Sequence, residues 1–317
     1  MMPDESPGIV SQHIFKLFQE HRATPFIFVE PWGNFGDQLL WMGAEKLAKL
    51  AGVHHQSVNV GTFLHTDYPS HVGVYINGGG GINPLYPETT AMQAFLKSVG
   101  RYPITILGPQ TFPQDINFIK REIVNKLPHG SPGAAVLFAR EKLSYNIIKP
   151  LLPGWIEPGL DHDTALNLQA TDLTTSVPHR RFDLYAIRND KEAFSKNQRD
   201  LLAIWIDPIH FCFDFNQWLA LHHRAKRIVT NRLHSSILGS ILGIPTTLLP
   251  NSYHKNHSVW EHSLQQCGIL WRDEIELRPL AQKVNAIPPL RQLLELPFTQ
   301  RLLRVFIHRA RYRSLVP

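Results

Sequence analysis

Cysteine is nearly missing from this chain: Cys212 and Cys267 are the only two in 317 residues. They make neither a disulfide framework nor a CxxC metal site, and such sparse usage fits a reducing compartment. No apolar run approaches the length of a membrane span. The opening residues, MMPDESPG, carry acids where a secretory leader needs a basic stretch, so a cytoplasmic protein is expected. GxGxxG, the Walker loop, GxSxG and HExxH are all lacking, which removes the fingerprints of dinucleotide binding, P-loop chemistry, serine hydrolysis and zinc proteolysis. No basic strand with stacking aromatics accompanies the positive charge, so nucleic acid is not an expected partner. No metal and no cofactor are expected.

What remains is an ordinary globular composition, 43% hydrophobic and 18% charged, long enough for one large or two medium domains. The net charge of +6 suits an anionic substrate or an anionic surface. Its densest cluster is the tail, where Arg301, Arg304, His308, Arg309, Arg311 and Arg313 crowd together. That tail reads either as a solvated helix face or as a peripheral membrane contact.

The apolar runs alternate with helical patterns. Strands are expected at 23–30, 58–60, 72–77, 104–107 and 134–139, with helices after Asp37, from Thr89 to Val99, and through Ser144 and Ile148. Residues 166–179 are polar and weakly periodic and read as an interdomain linker. The pattern then restarts, with strands at 182–187, 202–206, 228–230 and 246–249 and helices at 215–226 and 236–242. Such alternation implies parallel pairing. The expected fold is α/β: two Rossmann-like domains facing a cleft, 1–172 and 173–289, with a C-terminal helix over 290–317 crossing back to the first.

The motifs sit where strands should end. Asn34-Phe35-Gly36-Asp37 follows the first strand, and Asp37 is well placed as an N-cap. Gly78-Gly79-Gly80-Gly81 can admit a phosphate or sugar closely. Gln110 suits either a sugar hydroxyl or the backbone. Arg140, Arg188 and Arg232 each stand at a strand end, where ligands of α/β sheets bind, and each carries a planar fork for carboxylate or phosphate. Glu141 is a candidate to hold a neighbouring arginine. Asp161-His162-Asp163 reads as a turn or as an acid/base or metal loop. His254 and Lys255 can complete an anion site, and the His254/His257 spacing resembles half of a zinc site without its other half. Thr230-Asn231-Arg232-Leu233-His234 is the most informative stretch: a fixed cation, then a residue that moves protons near neutral pH. It also fits a structural reading, with Arg232 paired to a carboxylate and His234 capping a helix.

Taken in order, Asn34–Asp37, Gly78–Gly81, Gly108-Pro109-Gln110, Ala139-Arg140-Glu141 with Ser144, Asp161–Asp163, Arg188, Thr230–His234 and Lys255 resemble the polysaccharide pyruvyl transferase family, of the succinoglycan-pyruvylating type. The resemblance covers roughly residues 25 to 260. It implies a GT-B-like fold and transfer of a pyruvyl group from phosphoenolpyruvate to a sugar of an exopolysaccharide repeat unit, forming a ketal. It places phosphoenolpyruvate at Arg232, Leu233 and His234. One departure is visible: many members have Asp-Pro-Ala where this chain has Asp161-His162-Asp163-Thr164-Ala165.

On that reading His234 is the candidate acid, and Asp37 or Asp163 takes a hydroxyl proton. Arg232, Arg140, Arg188 and Lys255 hold the anionic groups, with Asn34, Gly79, Gly80, Gln110 and His254 as further substrate contacts. The expected partners are phosphoenolpyruvate and a glycan acceptor, which a lipid link would carry at the membrane surface. Two rival readings are a GT-B glycosyltransferase using a nucleotide sugar and a non-catalytic glycan-assembly protein. Three strand-end arginines speak against the last, because a neutral glycan does not need them.

Overall fold

A computed structural model describes residues 10–30, 33–86, 90–130, 133–173, 179–188, 190–193, 205–275 and 289. The chain divides into two compact units. The first runs to Asp172 and also takes in Glu261–Ser263, and the second holds Leu173–Trp260 and the chain from Leu264. The C-terminal helix expected over 290–317 lies outside the described residues, as does the basic tail.

The first unit contains strands β1 (Phe26–Glu30), β2 (His55–Asn59), β3 (Gly73–Ile76), β4 (Ile104–Gln110), β5 (Ala134–Ala139) and β6 (Ile156–Leu160). Its helices are α1 (Gln12–Glu20), α2 (Phe35–Ala51), α3 (Val60–His65), α4 (Thr90–Ser98), α5 (Ile116–Glu122) and α6 (Lys142–Ile148). The strands form one parallel sheet in the order β2-β1-β3-β4-β5-β6. Phe26–Val29 is buried without a break, as befits a parallel strand covered on both faces. Successive side chains point to opposite faces. Ile27, Val29, Val74 and Leu137 therefore pack with the Phe63, Phe95 and Phe118 of α3, α4 and α5. Phe26, Phe28, Tyr75 and Phe138 pack on the other side with Phe15 and Phe18 of α1 and Trp41 and Leu47 of α2. The sheet is doubly wound.

The second unit contains β7 (Phe182–Ala186), β8 (Trp205–Ile206), β9 (Ala225–Thr230), β10 (Thr246–Leu248) and β11 (Leu270–Trp271). They are parallel, in the order β11-β10-β9-β7-β8. A short helix α7 (Ala170–Leu173) precedes the unit, α8 (Pro208–Phe211) follows β8, and α9 (Phe215–His223) and α10 (Leu233–Ile241) pack on β9 and β10. Helix α11 (Lys255–Val259) continues into a π-helical turn, Trp260–Leu264. Each unit is thus Rossmann-like, and two such units in one chain give the protein its GT-B-like character.

Both sheets share one device. The first strand of each unit lies between its second and third, so the winding direction reverses beside it. At such a switch point the loops leaving the two adjacent strands part company and open a crevice at the carboxyl edge. In the first unit the crevice lies between the ends of β1 and β3, and in the second between the ends of β7 and β9.

Three local expectations need correction, and one strand was not expected. The polar run from residue 166 is in part packed structure: Thr164–Asn167 is a 3₁₀ turn, and the buried Asn167 side chain accepts hydrogen bonds from the N–H groups of Val10 and Ser11. Residues 156–160, for which no element was expected, form β6; as an edge strand it tolerates Pro158 and Gly159. The N-cap of α2 is Asn34, not Asp37. Asn34 Oδ1 accepts from Gly36 N (2.8 Å) while Asp37 Oδ2 accepts from Asn34 N (2.7 Å), a capping box with Asp37 at its third position. Glu141 caps α6, both oxygens accepting from Ser144 N, whereas Asp163 holds the neighbouring Arg140.

Candidate functional site

In the first unit the switch point is lined by the loops after β1 and β3. The capping box fixes Asp37, half-buried, at the start of α2, with Asn34 exposed beside it. Across the crevice Asn77 immediately follows β3. Its Nδ2 donates to the Asp37 carbonyl oxygen (3.2 Å), and its buried Oδ1 has no hydrogen-bond partner among the described residues. Gly79 has φ +151°, and a Cβ there would stand 3.3 Å from Asp37 Oδ1. Glycine is required at Gly79 both by its backbone angle and by this approach. Gly79 also bridges to Gln110 at the end of β4, while Gly80 is half-buried beyond it. Gln110 is buried and its Nε2 donates to the Asn77 carbonyl oxygen (3.3 Å), so its amide ties two strand ends together. At the end of β1, burial first, and then Glu45 and Asp37, push the Glu30 carboxyl above the usual range.

Arg140, just after β5, is almost wholly buried at 1% exposure. Its Nη1 donates to Asp163 Oδ2 (2.9 Å) and its Nε to Thr111 Oγ1 (2.8 Å). Asp163 is itself completely buried, and its other oxygen accepts from Ala165 N. The neighbouring Asp161 accepts from Ile14 N (2.8 Å) and so caps α1 from a distant loop; burial pushes its carboxyl up to about 6. His162 stacks on His262 (4.6 Å between ring centres, 15° between planes), and its Nδ1 lies 2.8 Å from Ser263 Oγ. Burial, then the adjacent His262, push the His162 imidazole down to about 4.

In the second unit Arg188 follows β7 and Arg232 follows β9, so the two arginines bracket the switch point. Arg232 lies side-on to Asp207, Nε to Oδ1 and Nη2 to Oδ2, both 2.6 Å. Its Nη2 also reaches Asp190 Oδ2 at 3.1 Å. Arg188 donates through Nε and Nη2 to the two oxygens of Asp190 (2.7 and 2.9 Å) and through Nη1 to Glu192 Oε2 (2.6 Å). Lys255 Nζ is bonded to the same Glu192 oxygen and lies over the Tyr253 ring. Asn231 joins the strand ends, its Oδ1 accepting from Arg188 N (2.8 Å), and its Nδ2 is buried without a partner among the described residues. Leu233 is buried at the start of α10, His234 is half-buried in the first turn, and His254 is half-buried immediately before α11.

The structure therefore brings Arg188, Arg232 and Lys255 into one network, with Leu233 and His234 next in the chain. It gathers Asn34, Asp37, Gly79 and Gln110 at the switch point of the other unit, and pairs Arg140 with Asp163. The carboxylate partnership weighed for Arg232 is present, in the form of Asp207. Asp190, Glu192, Asp207, Asn231 and Asn77 had no site role in the sequence expectations, although Asp190 and Asn231 lie inside stretches noted for their arginines. A signal existed for two of them: Asp207 and Asn77 each end an apolar strand run, the position that singled out the arginines.

Among known proteins, the family model described as polysaccharide pyruvyl transferase matches residues 34–253. No curated protein matches the chain. A solved structure of a functionally uncharacterized protein from Klebsiella pneumoniae is similar in fold, with a TM-score of 0.61 and 21% identity, covering 82% of this chain and 97% of the other. The family match begins at Asn34 of the first capping box and ends at Tyr253 beside Lys255, taking in both switch points and more than two-thirds of the sequence. The chain belongs to the polysaccharide pyruvyl transferase family.

Proposed function

We propose that the protein moves the pyruvyl group of phosphoenolpyruvate onto two hydroxyls of one sugar in an exopolysaccharide repeat unit, closing a ketal and releasing phosphate. One observation carries the choice of donor: Arg188 and Arg232 stand on either side of the second unit's switch point, with His234 two residues beyond Arg232. Phosphoenolpyruvate bears a carboxylate and a phosphate, and two oriented guanidinium forks suit those two groups. Lys255, on the same network, adds a third positive charge.

In the reaction His234 donates a proton to the methylene carbon, which becomes the methyl group. The second carbon gains oxocarbenium character and is attacked by the first hydroxyl, and the bond to the phosphate oxygen breaks. The second hydroxyl closes the ketal. Of the two hydroxyl protons, one restores His234 and the other leaves with phosphate. Arg188 and Arg232 stabilise the charge that gathers on the departing phosphate, which is where fixed cations lower a barrier most. No helix among the described residues is long and apolar enough to cross a membrane, so a lipid-linked acceptor would be met at a membrane surface.

The donor is tested by thermal unfolding with added ligand. At a hundredfold excess over its dissociation constant, a donor stabilises the protein by about 2.7 kcal/mol. The proposal expects phosphoenolpyruvate to raise the melting temperature and nucleotide sugars to leave it unchanged. The opposite pattern would favour a glycosyltransferase.

A further inference from the structure

Among the described residues, the charges of the network in the second unit balance. Three cations, Arg188, Arg232 and Lys255, face three carboxylates, Asp190, Glu192 and Asp207. A seat for a multiply charged anion has to present more positive charge than that when the anion arrives.

The three carboxylates are not equivalent. Asp207 and Glu192 are buried, with side chains 3% and 4% exposed, whereas Asp190 is 29% exposed. Asp207 grips Arg232 side-on, and Glu192 holds both Arg188 and Lys255. Each cation thus has a buried partner without Asp190. Of the three carboxylates, Asp190 is the one seen among the described residues to span the switch point: its two oxygens take the Nε and Nη2 of Arg188, and one of them also takes Nη2 of Arg232. A carboxylate held between two guanidinium forks is the arrangement expected of a bound anionic substrate. A second observation marks the same place. Asn231, between Thr230 and Arg232, is tied to the Arg188 backbone by its oxygen and keeps a buried NH₂ group with no acceptor among the described residues. A buried donor without a partner is costly unless something supplies one.

Resting on the anion-site reading above, we infer that the Asp190 carboxylate occupies the anion seat between Arg188 and Arg232, and that an incoming carboxylate or phosphate binds by displacing it. Burial raises the Asp190 pKa, but Arg188 and then Arg232 outweigh it and hold the group below the usual carboxylate range. Asp190 is therefore ionised at neutral pH, and it leaves by side-chain rotation rather than by protonation. Its more exposed position permits this, while Glu192 and Asp207 keep the arginines aimed.

The test is Asp190→Asn, which keeps the shape and removes the charge, titrated in the full chain with inorganic phosphate and with phosphoenolpyruvate by calorimetry. Loss of one competing negative charge should tighten both by about tenfold or more. Asp207→Asn, which loosens the aim of Arg232, should weaken both. Equal or weaker binding in Asp190→Asn, with wild-type binding intact, overturns the displacement and leaves the donor proposal standing. Tighter phosphate binding without any phosphoenolpyruvate turnover upholds the displacement and removes the donor proposal. If neither ligand binds wild type or variant, the seat itself is refuted.

Discussion

Asp163 is a sharp case, because sequence and structure assign it different work. Read from the sequence, it is a candidate to accept a hydroxyl proton. In the structure it is completely buried, 2.9 Å from a guanidinium that is itself 1% exposed. Two unit charges roughly 4 Å apart at an effective dielectric near 20 attract by about 4 kcal/mol. Breaking a buried pair by removing one member typically costs about 3–5 kcal/mol, because the other charge is left stranded. Asp163→Asn keeps an oxygen for Ala165 N and removes only the charge. We expect a loss of about 3–5 kcal/mol, a fall in melting temperature on the order of 10 °C. The double variant Arg140→Met/Asp163→Asn should recover much of that loss, since no stranded charge remains. The assay is urea unfolding of the single and double variants, with hydrogen exchange at β5 amides to locate the damage in the first unit. A loss below about 1 kcal/mol in Asp163→Asn, together with abolished turnover, would refute the structural role and restore the catalytic one.

Other perturbations have clear signs. Acid should destabilise the protein between pH 6.5 and 4. His222 is buried, bonded to Trp218 O and Ser235 Oγ, and burial pushes it down to about 4; His162 is pushed down likewise. The unfolded chain therefore binds protons first, and the stability these histidines give above pH 6.5 is lost as pH falls through their folded values, by up to about 3 kcal/mol at His222. Asp161, raised to about 6, acts oppositely, favouring the fold at acid pH and costing stability as pH rises through that value. Melting temperatures across this range should fall with acid in the wild type and less steeply in His222→Leu; a flat wild-type profile would contradict this. Gly79→Ala combines a backbone angle that L-residues rarely adopt with a contact on Asp37, and should lower stability by about 1–3 kcal/mol in thermal unfolding. His234→Ala should retain phosphoenolpyruvate binding by calorimetry while turnover falls by roughly 10²–10⁴; near-wild-type turnover would remove His234 from the acid role.

The alternating architecture was legible because parallel strands buried on both faces read as continuous apolar runs, as at Phe26–Val29 and Ala135–Ala139. β6 was hidden by Pro158 and Gly159, which an edge position tolerates. The start of the fold was hidden as well: α1 is capped by Asp161 and anchored by Asn167, more than 140 residues away, and local pattern carries no trace of such partners. The strand-end arginines were visible for the same reason that the strands were. Their carboxylates were less so: Asp190 and Glu192 are two and four residues from Arg188, but Asp207 meets Arg232, and Asp190 reaches from Arg188 to Arg232, only once β7, β8 and β9 lie side by side. Sequence position could mark cations at a carboxyl edge, but only the folded sheet shows that each is already paired.

The proposed activity is transfer of a pyruvyl group from phosphoenolpyruvate to a glycan. The most direct measurement incubates the purified protein with phosphoenolpyruvate and extracted lipid-linked oligosaccharides, follows the glycans by mass spectrometry, and counts phosphate released. A pyruvyl adduct on a single sugar, one phosphate per adduct, and neither product with Arg232→Ala are expected. Phosphate release with no pyruvylated glycan, or adduct formation undiminished in Arg232→Ala, would contradict that activity.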